Sequence, residues 1–292
     1  MTSKGIILAG GQGTRLWPMT KVVNKHVLPV YDKPMIHYPL ATLMLADIRD
    51  ILVISSPEAV PQIRALLGDG SEIGLNISYA VQDRPAGIAQ ALLIGADFVG
   101  DDRVCLVLGD NVFYGNDLSQ LLSDAAARSV STVFGYYLED PAGLGVCVFD
   151  NDGRPQRLVE KPRARVSNWA VPGLYFYEPE AIGIARGLKP SPRGELEITD
   201  LNMALLESGR LDVVRMGRGM LWLDCGTAEN LLEASEFVRV VEKRIGLQIS
   251  CLEEIAYTRK LITRAQLGEL AARSPNPTHR AYLERLLNAE PA

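Results

Sequence analysis

Cysteine is scarce in this chain. The four that occur, Cys105, Cys147, Cys225 and Cys251, stand far apart with no Cys-x-x-Cys spacing. Each lies in or beside an apolar run, so they read as buried free thiols rather than a disulfide framework or a zinc site. Histidine is scarcer still. His26, His37 and His279 share no metal-ligand spacing, and His37 and His279 read as packing residues. Positive charge is not in excess: the formal net charge is −5, which argues against a nucleic-acid surface. No apolar run reaches the roughly 20 residues that span a bilayer, so no membrane partner is expected. Met1-Thr2-Ser3-Lys4 leads into a strand rather than a signal peptide, and the cytoplasm is the expected compartment. Repeats and low-complexity segments are missing too. What remains is a globular chain of 292 residues, 47% hydrophobic, with ample material for a core. A polyanionic small substrate must then be held by a few local cations, not by the field of the whole protein.

The most informative stretch is Gly5-Ile-Ile-Leu-Ala-Gly-Gly-Gln-Gly-Thr-Arg-Leu-Trp-Pro18. Four apolar residues emptying into Gly10, Gly11 and Gly13 read as a buried strand and a phosphate cradle, where backbone N–H groups approach an anion closely. A P-loop would need Gly-Lys-Ser/Thr, and a dinucleotide fingerprint would need a third glycine where this chain has Leu16. What is left is Gly-Gly-x-Gly-Thr-Arg-Leu-x-Pro followed by Lys25-His26-Val27-Leu28-Pro29. It resembles the signature of the sugar-phosphate nucleotidylyltransferases. The bland alternative is a tight turn with Arg15 and Lys25 as solvated cations.

Residues 5 to 110 alternate short apolar runs with helical patterns. Strands are expected over 51–54, 77–81 and 104–108, and helices over 36–45, 58–67 and 87–99. Such a βαβ series predicts a mostly parallel sheet with ligands beyond the carboxyl ends of its strands. Gly10 to Arg15, Gln82 to Gly87 and Asp110 should therefore converge on one crevice. After about residue 130 shorter strands are expected around 132–137, 145–149, 157–160, 174–177, 211–215 and 220–223, with a helix near 198–206. From Thr227 onward the chain reads as helical, with a break at Pro275-Asn-Pro277 before Tyr282 to Leu287. The fold class is thus α/β, a Rossmann-like, mostly parallel mixed sheet flanked by helices. Residues 1–227 form the expected catalytic domain and 228–292 a helical appendix packed on it.

Asp110 follows a very apolar run in Leu108-Gly-Asp-Asn-Val-Phe-Tyr-Gly115, and Asp224 closes Leu221-Trp-Leu-Asp-Cys-Gly-Thr227. Strand-end carboxylates facing a phosphate loop suit Mg2+, although either alone reads equally well as a turn residue. Glu160-Lys161-Pro162 taken alone is a surface pair. Gln82 offers a donor and an acceptor that suit the imide edge of thymine or uracil, or else is an exposed loop amide. Tyr175 and Trp222 are core aromatics or walls of a sugar pocket.

Further phrases, Leu28-Pro-Val-Tyr-Asp-Lys-Pro-Met35, Leu106-Val-Leu-Gly-Asp-Asn111, Gly173-Leu-Tyr-Phe-Tyr177 and Pro192-Arg-Gly-Glu-Leu-Glu-Ile-Thr-Asp200, extend the resemblance over nearly the whole chain. They make it similar to the glucose-1-phosphate thymidylyltransferases. The resemblance implies that dTTP and a sugar-1-phosphate give a dTDP-sugar and pyrophosphate with Mg2+ on Asp110 and Asp224, and that Arg15, Lys25 and Lys161 act catalytically beside Asp110. It implies nucleotide contacts from Leu8, Gly10, Gly11, Gly13, Thr14, Arg15, Gln82, Pro85 and Gly87. Leu108, Leu144, Gly145, Glu160, Lys161, Val171, Tyr175 and Trp222 would surround the sugar phosphate. It also implies a homotetramer with a regulatory nucleotide site partly built by the C-terminal helices. UTP, another sugar, or a non-catalytic nucleotide-sugar-binding paralogue are the rival readings. This chain departs from the family pattern at three positions: His26 replaces glutamine, Ala86 an acidic residue, and Leu144 a tyrosine beside the sugar.

Overall fold

The strand Ser3–Leu8 is the centre of the molecule because both its faces are apolar and both its edges are taken. In the computed structural model, which describes residues 3–288, it pairs in parallel with Asp50–Ser55 and with Arg103–Leu108. Ile6, Ile7, Val53, Ile54, Leu106 and Val107 are fully buried, as expected of parallel strands covered by helices on both faces. Asn76–Val81 continues the parallel set at one edge. Leu8 lies level with Ile54 and Leu108, and Ser55 with Val81. The loops that leave these strands therefore start from one rim.

On the other side Leu174–Tyr177 pairs antiparallel with Arg103–Leu108, and Ser131–Tyr137, Trp169–Ala170, Val146–Phe149 and Pro155–Val159 extend the same sheet. Leu211–Arg215 joins Ser131–Tyr137 in parallel. The expected mixed sheet is thus one ten-stranded sheet. The helix His37–Leu45, apolar all round, is buried within it.

One local expectation needs correction. The helix expected over 87–99 is two short helices, Gln90–Ile94 and Ala96–Val99, hinged at Gly95. A Cβ on Gly95 would stand 2.7 Å from Ile6 Cδ1, so packing against the central strand sets the break, and Gly87 at φ 100° cannot begin a helix. No element was expected directly after Asp110, where the structure has the strand Asn111–Tyr114, which pairs antiparallel with Leu221–Asp224 as a separate ribbon.

The C-terminal residues are helical as expected. Thr227 Oγ1 accepts from the Asn230 N–H to cap Ala228–Ile245, and Gly246 closes that helix in the left-handed region. Leu252–Thr258, Arg264–Arg273 and Pro277–Asn288 follow, so the last helix starts at Pro277 rather than near Tyr282. Leu252–Thr258 lies against His37–Leu45, and Arg259 grips Asp47 with both carboxylate oxygens at 2.9 and 3.0 Å. Residues 289–292, the end of the expected appendix, lie outside the described residues. Among the described residues no helix is long and apolar enough to cross a membrane.

Leu283, fully buried, shares a core cluster with Leu43, Ala256 and Leu267. Leu283→Ala should cost about 2–5 kcal/mol in denaturant unfolding. A loss well below about 1 kcal/mol would show that the last helix does not share the main core.

Candidate active site

The glycine loop turns back on itself where the sequence allows it. Gly11 and Gly13 sit at φ 92° and 61°, and a Cβ on Gly13 would meet Thr20 Cγ2 at 2.8 Å. Thr20 Oγ1 donates to the Gly13 carbonyl at 2.8 Å, closing the loop around the short turn Thr14–Leu16. Leu16 is buried and Arg15 exposed, so the turn is anchored by one side chain and presents the next. Gly10 has a separate reason to be glycine: its Cβ would lie 2.1 Å from Gln82 Oε1. Leu8 ends the first strand, its carbonyl accepting from Gly109 N–H at 2.9 Å.

Two cavities open on this rim. The first, about 400 Å³, is lined by Gly11, Lys25, Gln82 and Pro85 together with Ser56 and Gln62. The second, about 520 Å³, is lined by Arg15, Leu108, Asp110, Leu144, Gly145, Glu160, Lys161, Val171, Tyr175, Trp222 and Asp224. They meet at one contact, for Lys25 in the first wall and Asp110 in the second form an ion pair at 2.5 Å. Leu8, Gly10, Gly13, Thr14 and Gly87 shape the loops without lining either cavity. Gly87 instead packs on Leu196, whose carbonyl would stand 2.3 Å from an added Cβ.

The ribbon brings the two strand-end aspartates together. Asn111 pairs in register with Asp224, and Cys225 N–H donates to the Asp110 carbonyl at 2.9 Å. Burial alone would raise the Asp110 carboxyl, but Lys25 and the Asn111 amide, 3.0 Å away, overcome it and hold it below the usual carboxylate range. Asp224 goes the other way: burial and then the neighbouring Asp110 raise it, only partly offset by Lys25, Arg15 and the Gly226 N–H. The Arg15 guanidinium lies over Gly226, where a Cβ would stand 2.7 Å from it. His26, where the resemblance expects glutamine, is turned inward. It is 1% exposed, packs on Gly109 and holds Asn24 Oδ1 at 2.7 Å through Nδ1. Burial and Lys25 push it down to about 3, so the ring is neutral.

At the far end of the second cavity Glu160 accepts from Thr199 Oγ1 at 2.5 Å and from Arg193 at 3.2 Å. Lys161 stands at φ 39°, a strained conformation for a side chain with a Cβ. Its Nζ is only loosely tied to Glu160, at 3.6 Å. Trp222 is held edge-on to Tyr136 and donates Nε1–H to Asn111 Oδ1 at 2.7 Å. Tyr175, 2% exposed and stacked on Tyr177, is chiefly a core aromatic that touches the cavity.

The sequence reading assigned no role to Asn111, Gln90, Arg193 or Thr199. Asn111 stands beside Asp110 in Gly-Asp-Asn, and Arg193 and Thr199 lie in the Pro192 to Asp200 phrase. Those are signals that could have found them. Nothing in the sequence marks Gln90.

The raised Asp224 gives a testable sign. A folded chain that binds this proton more tightly than the unfolded chain is most stable at low pH and loses that stability as pH rises through the folded value. Asp224→Asn should therefore raise the melting temperature of chelator-treated protein at neutral pH while abolishing activity. A lowered melting temperature would show that the Asp224 charge is favourably compensated within the protein.

With this geometry in hand, similarity to known proteins is informative. Residues 4–240 match the family described as Nucleotidyl transferase. A glucose-1-phosphate thymidylyltransferase of Neisseria meningitidis is 54% identical over 285 residues, 97% of this chain and 99% of that protein. One of Mycolicibacterium smegmatis is 50% identical over 287 residues, 98% of this chain and all of that protein (100%). A crystal structure assigned as a Bacillus anthracis glucose-1-phosphate thymidylyltransferase in complex with a sucrose superposes with a TM-score of 0.75 at 40% identity, covering 82% of this chain and 96% of that one. UDP-glucose pyrophosphorylase complexed with UDP-glucose gives 0.72 at 26% identity, covering 84% and 100%. The mixed sheet, the glycine loop and these likenesses over nearly the full length agree: the chain is an enzyme of the nucleotidyl transferase family, in its glucose-1-phosphate thymidylyltransferase branch.

Proposed function

We propose that this chain condenses dTTP with glucose-1-phosphate to give dTDP-glucose and pyrophosphate. One observation carries the reading: two cavities meet at the Lys25–Asp110 ion pair, with Asp224 and Arg15 beside it. We assign the triphosphate to the glycine-loop cavity, with its base at Gln82 and Pro85, and the sugar phosphate to the cavity of Glu160 and Lys161. A sugar-phosphate oxygen then attacks the α-phosphorus in line. The new bond joins that oxygen to phosphorus, the α–β bridge breaks, and pyrophosphate leaves with the electron pair. No side-chain nucleophile is needed, so catalysis is positioning plus charge neutralisation. Arg15 can hold two phosphate oxygens in its fork, Lys25 stands at the junction, and Lys161 and Arg193 supply cations at the sugar-phosphate end.

The carboxylate pair fits a bound Mg2+. Both donors are hard oxygens, and each makes the other's charge costly, as the raised Asp224 records. Among the described residues no third acidic, histidine or cysteine ligand completes a cage, which suits an ion that keeps waters and phosphate oxygens. Held by Asp110 and Asp224, Mg2+ would neutralise charge on the α-phosphate and the departing pyrophosphate.

A second reading changes UTP for dTTP, because the imide edge that Gln82 can answer is common to thymine and uracil and a UDP-glucose pyrophosphorylase shares the fold. We assign the helices from 228 onward to assembly, as a homotetramer, and to a regulatory nucleotide-sugar site, and we place the enzyme in the cytoplasm.

A panel of triphosphates against sugar-1-phosphates should release pyrophosphate fastest from dTTP with glucose-1-phosphate, only with Mg2+, and weakly from Arg15→Lys. A faster UTP reaction would establish the second reading. No turnover with any pair would make the chain a binding protein.

Leu144 gives a separate expectation. An apolar wall discriminates less against a missing hydroxyl than a hydrogen-bonding one. Leu144→Tyr should raise kcat/KM for glucose-1-phosphate over a deoxy analogue by about 0.5–1.5 kcal/mol. Equal changes for both substrates would show that position 144 does not read the sugar.

A further inference from the structure

We propose that Gln90 sets which base the nucleotide cavity accepts, by locking the side-chain amide of Gln82 in one of its two orientations. The proposal rests on the reading of Gln82 as the base contact.

Main-chain polarity fixes the orientation of both amides. The Ala86 main-chain N–H can only donate, and it points at Gln90 at 2.9 Å. The Gln90 atom there must therefore be its carbonyl oxygen. The same oxygen stands 2.8 Å from the Gln82 amide. An acceptor facing that amide requires Gln82 to present its NH2 group to Gln90 and turn its own oxygen the other way. Gln82 Oε1 accordingly lies over Gly10, where an added Cβ would be 2.1 Å from it.

The anchor of this chain of inference is itself fixed. The Ala86 carbonyl accepts from Leu196 N–H at 2.7 Å, and the Leu196 carbonyl accepts from Ala89 N–H at 3.3 Å. Gly87 between them packs directly on the Leu196 backbone. The direction of the Ala86 N–H is thus set by main chain alone. Gln82 is 4% exposed and its own N–H is bound to the Ser55 carbonyl at 2.8 Å, so its side chain has little room to choose another path.

An amide in this orientation offers one acceptor and one remaining N–H. With Oε1 facing the ring N–H in the proposed pose, that fixed order complements an imide edge, in which a ring N–H lies beside carbonyl oxygens. It opposes the edge of cytosine, where the ring nitrogen is an acceptor and the exocyclic nitrogen a donor. A glutamine free to turn over would serve both edges, so Gln82 alone does not discriminate. Discrimination comes from leaving a fixed polar group unpaired against the wrong base. Gln90 acts through Gln82 and is a positioning residue.

The test measures KM for dTTP and the inhibition constant of dCTP against dTTP, with melting temperatures as a check on folding. Gln90→Met removes the acceptor at nearly constant length. It should weaken dTTP, tighten dCTP and shrink the ratio of the two constants by about tenfold, the worth of one hydrogen bond. Gln90→Glu, which still accepts from both donors, should retain the wild-type ratio. Gln90→Lys offers only donors, forces the Gln82 amide to turn, and should shrink the ratio at least as far as Gln90→Met, which keeps the test decisive if the methionine variant fails to fold. Equal weakening of both nucleotides in a folded Met or Lys variant would overturn the proposal and leave Gln90 a purely structural residue. Gln82→Ala separates the two layers: if it leaves the ratio unchanged, the base reading of Gln82 is wrong, whereas a collapsed ratio there with an intact one in Gln90→Met and Gln90→Lys refutes the lock alone.

Discussion

Two acidic side chains are forced together where the ribbon of Asn111–Tyr114 and Leu221–Asp224 meets the end of the strand Arg103–Leu108. Most of the site's construction answers that charge. The main chain leaves no freedom to separate them, because Cys225 is bonded to the Asp110 carbonyl. One answer comes from Lys25, which reaches Asp110 only because the glycine loop folds back through Gly11 and Gly13 before the turn that carries the lysine. A single ammonium compensates one carboxylate, and Asp224 remains costly to ionise. In the proposed reading, such a group is kept against the fold's own stability to hold a place for a cation that is not part of the chain, a familiar conflict between stability and activity.

The two cavities are also tied together away from the Lys25–Asp110 contact. Leu196 holds the Ala86–Ala89 turn through two main-chain hydrogen bonds. One residue further on, Glu197 binds Arg193 and Ser191, and Thr199 binds Glu160. The Ala86–Ala89 turn and the Glu160 carboxylate thus hang from one nine-residue segment, Ser191 to Thr199. For a reaction whose catalysis is mainly the positioning of two anions, a common support would set the distance between them. Gly87 belongs to this support, and its close packing on the Leu196 backbone leaves no room for a Cβ.

Much of this was legible in the sequence for reasons that can be stated. Parallel strands buried on both faces must be continuous apolar runs, and these were found to within a residue or two at 51–54, 77–81 and 104–108. Their carboxyl ends fixed where Gly10, Gln82 and Asp110 would meet. The helix over 87–99 failed because a tertiary contact, Ile6 against Gly95, breaks a pattern that looks continuous locally. The strand after Asp110 went unread because its partner lies about a hundred residues away, and pairing at that distance leaves no local mark. The inward turn of His26 went unread because a sequence gives a side chain's chemistry but not its direction. Gln90 was invisible because its effect is carried by two hydrogen bonds made only in the folded chain.

The sugar-side cavity carries its polar groups unevenly. Glu160, Thr199, Arg193 and Lys161 cluster at one end. Leu108, Leu144, Val171 and the face of Trp222 add apolar lining to the same cavity. Trp222 Nε1 is already spent on Asn111 Oδ1, which also accepts from Gly173 N–H at 3.0 Å. If the proposed sugar site is this cavity, hexose hydroxyls that face the apolar side chains exchange water for hydrocarbon without gaining a partner. Hydroxyls near Glu160 would there meet a carboxylate already oriented by two donors. A tyrosine in place of Leu144 would add a hydroxyl to the lining, and leucine adds none.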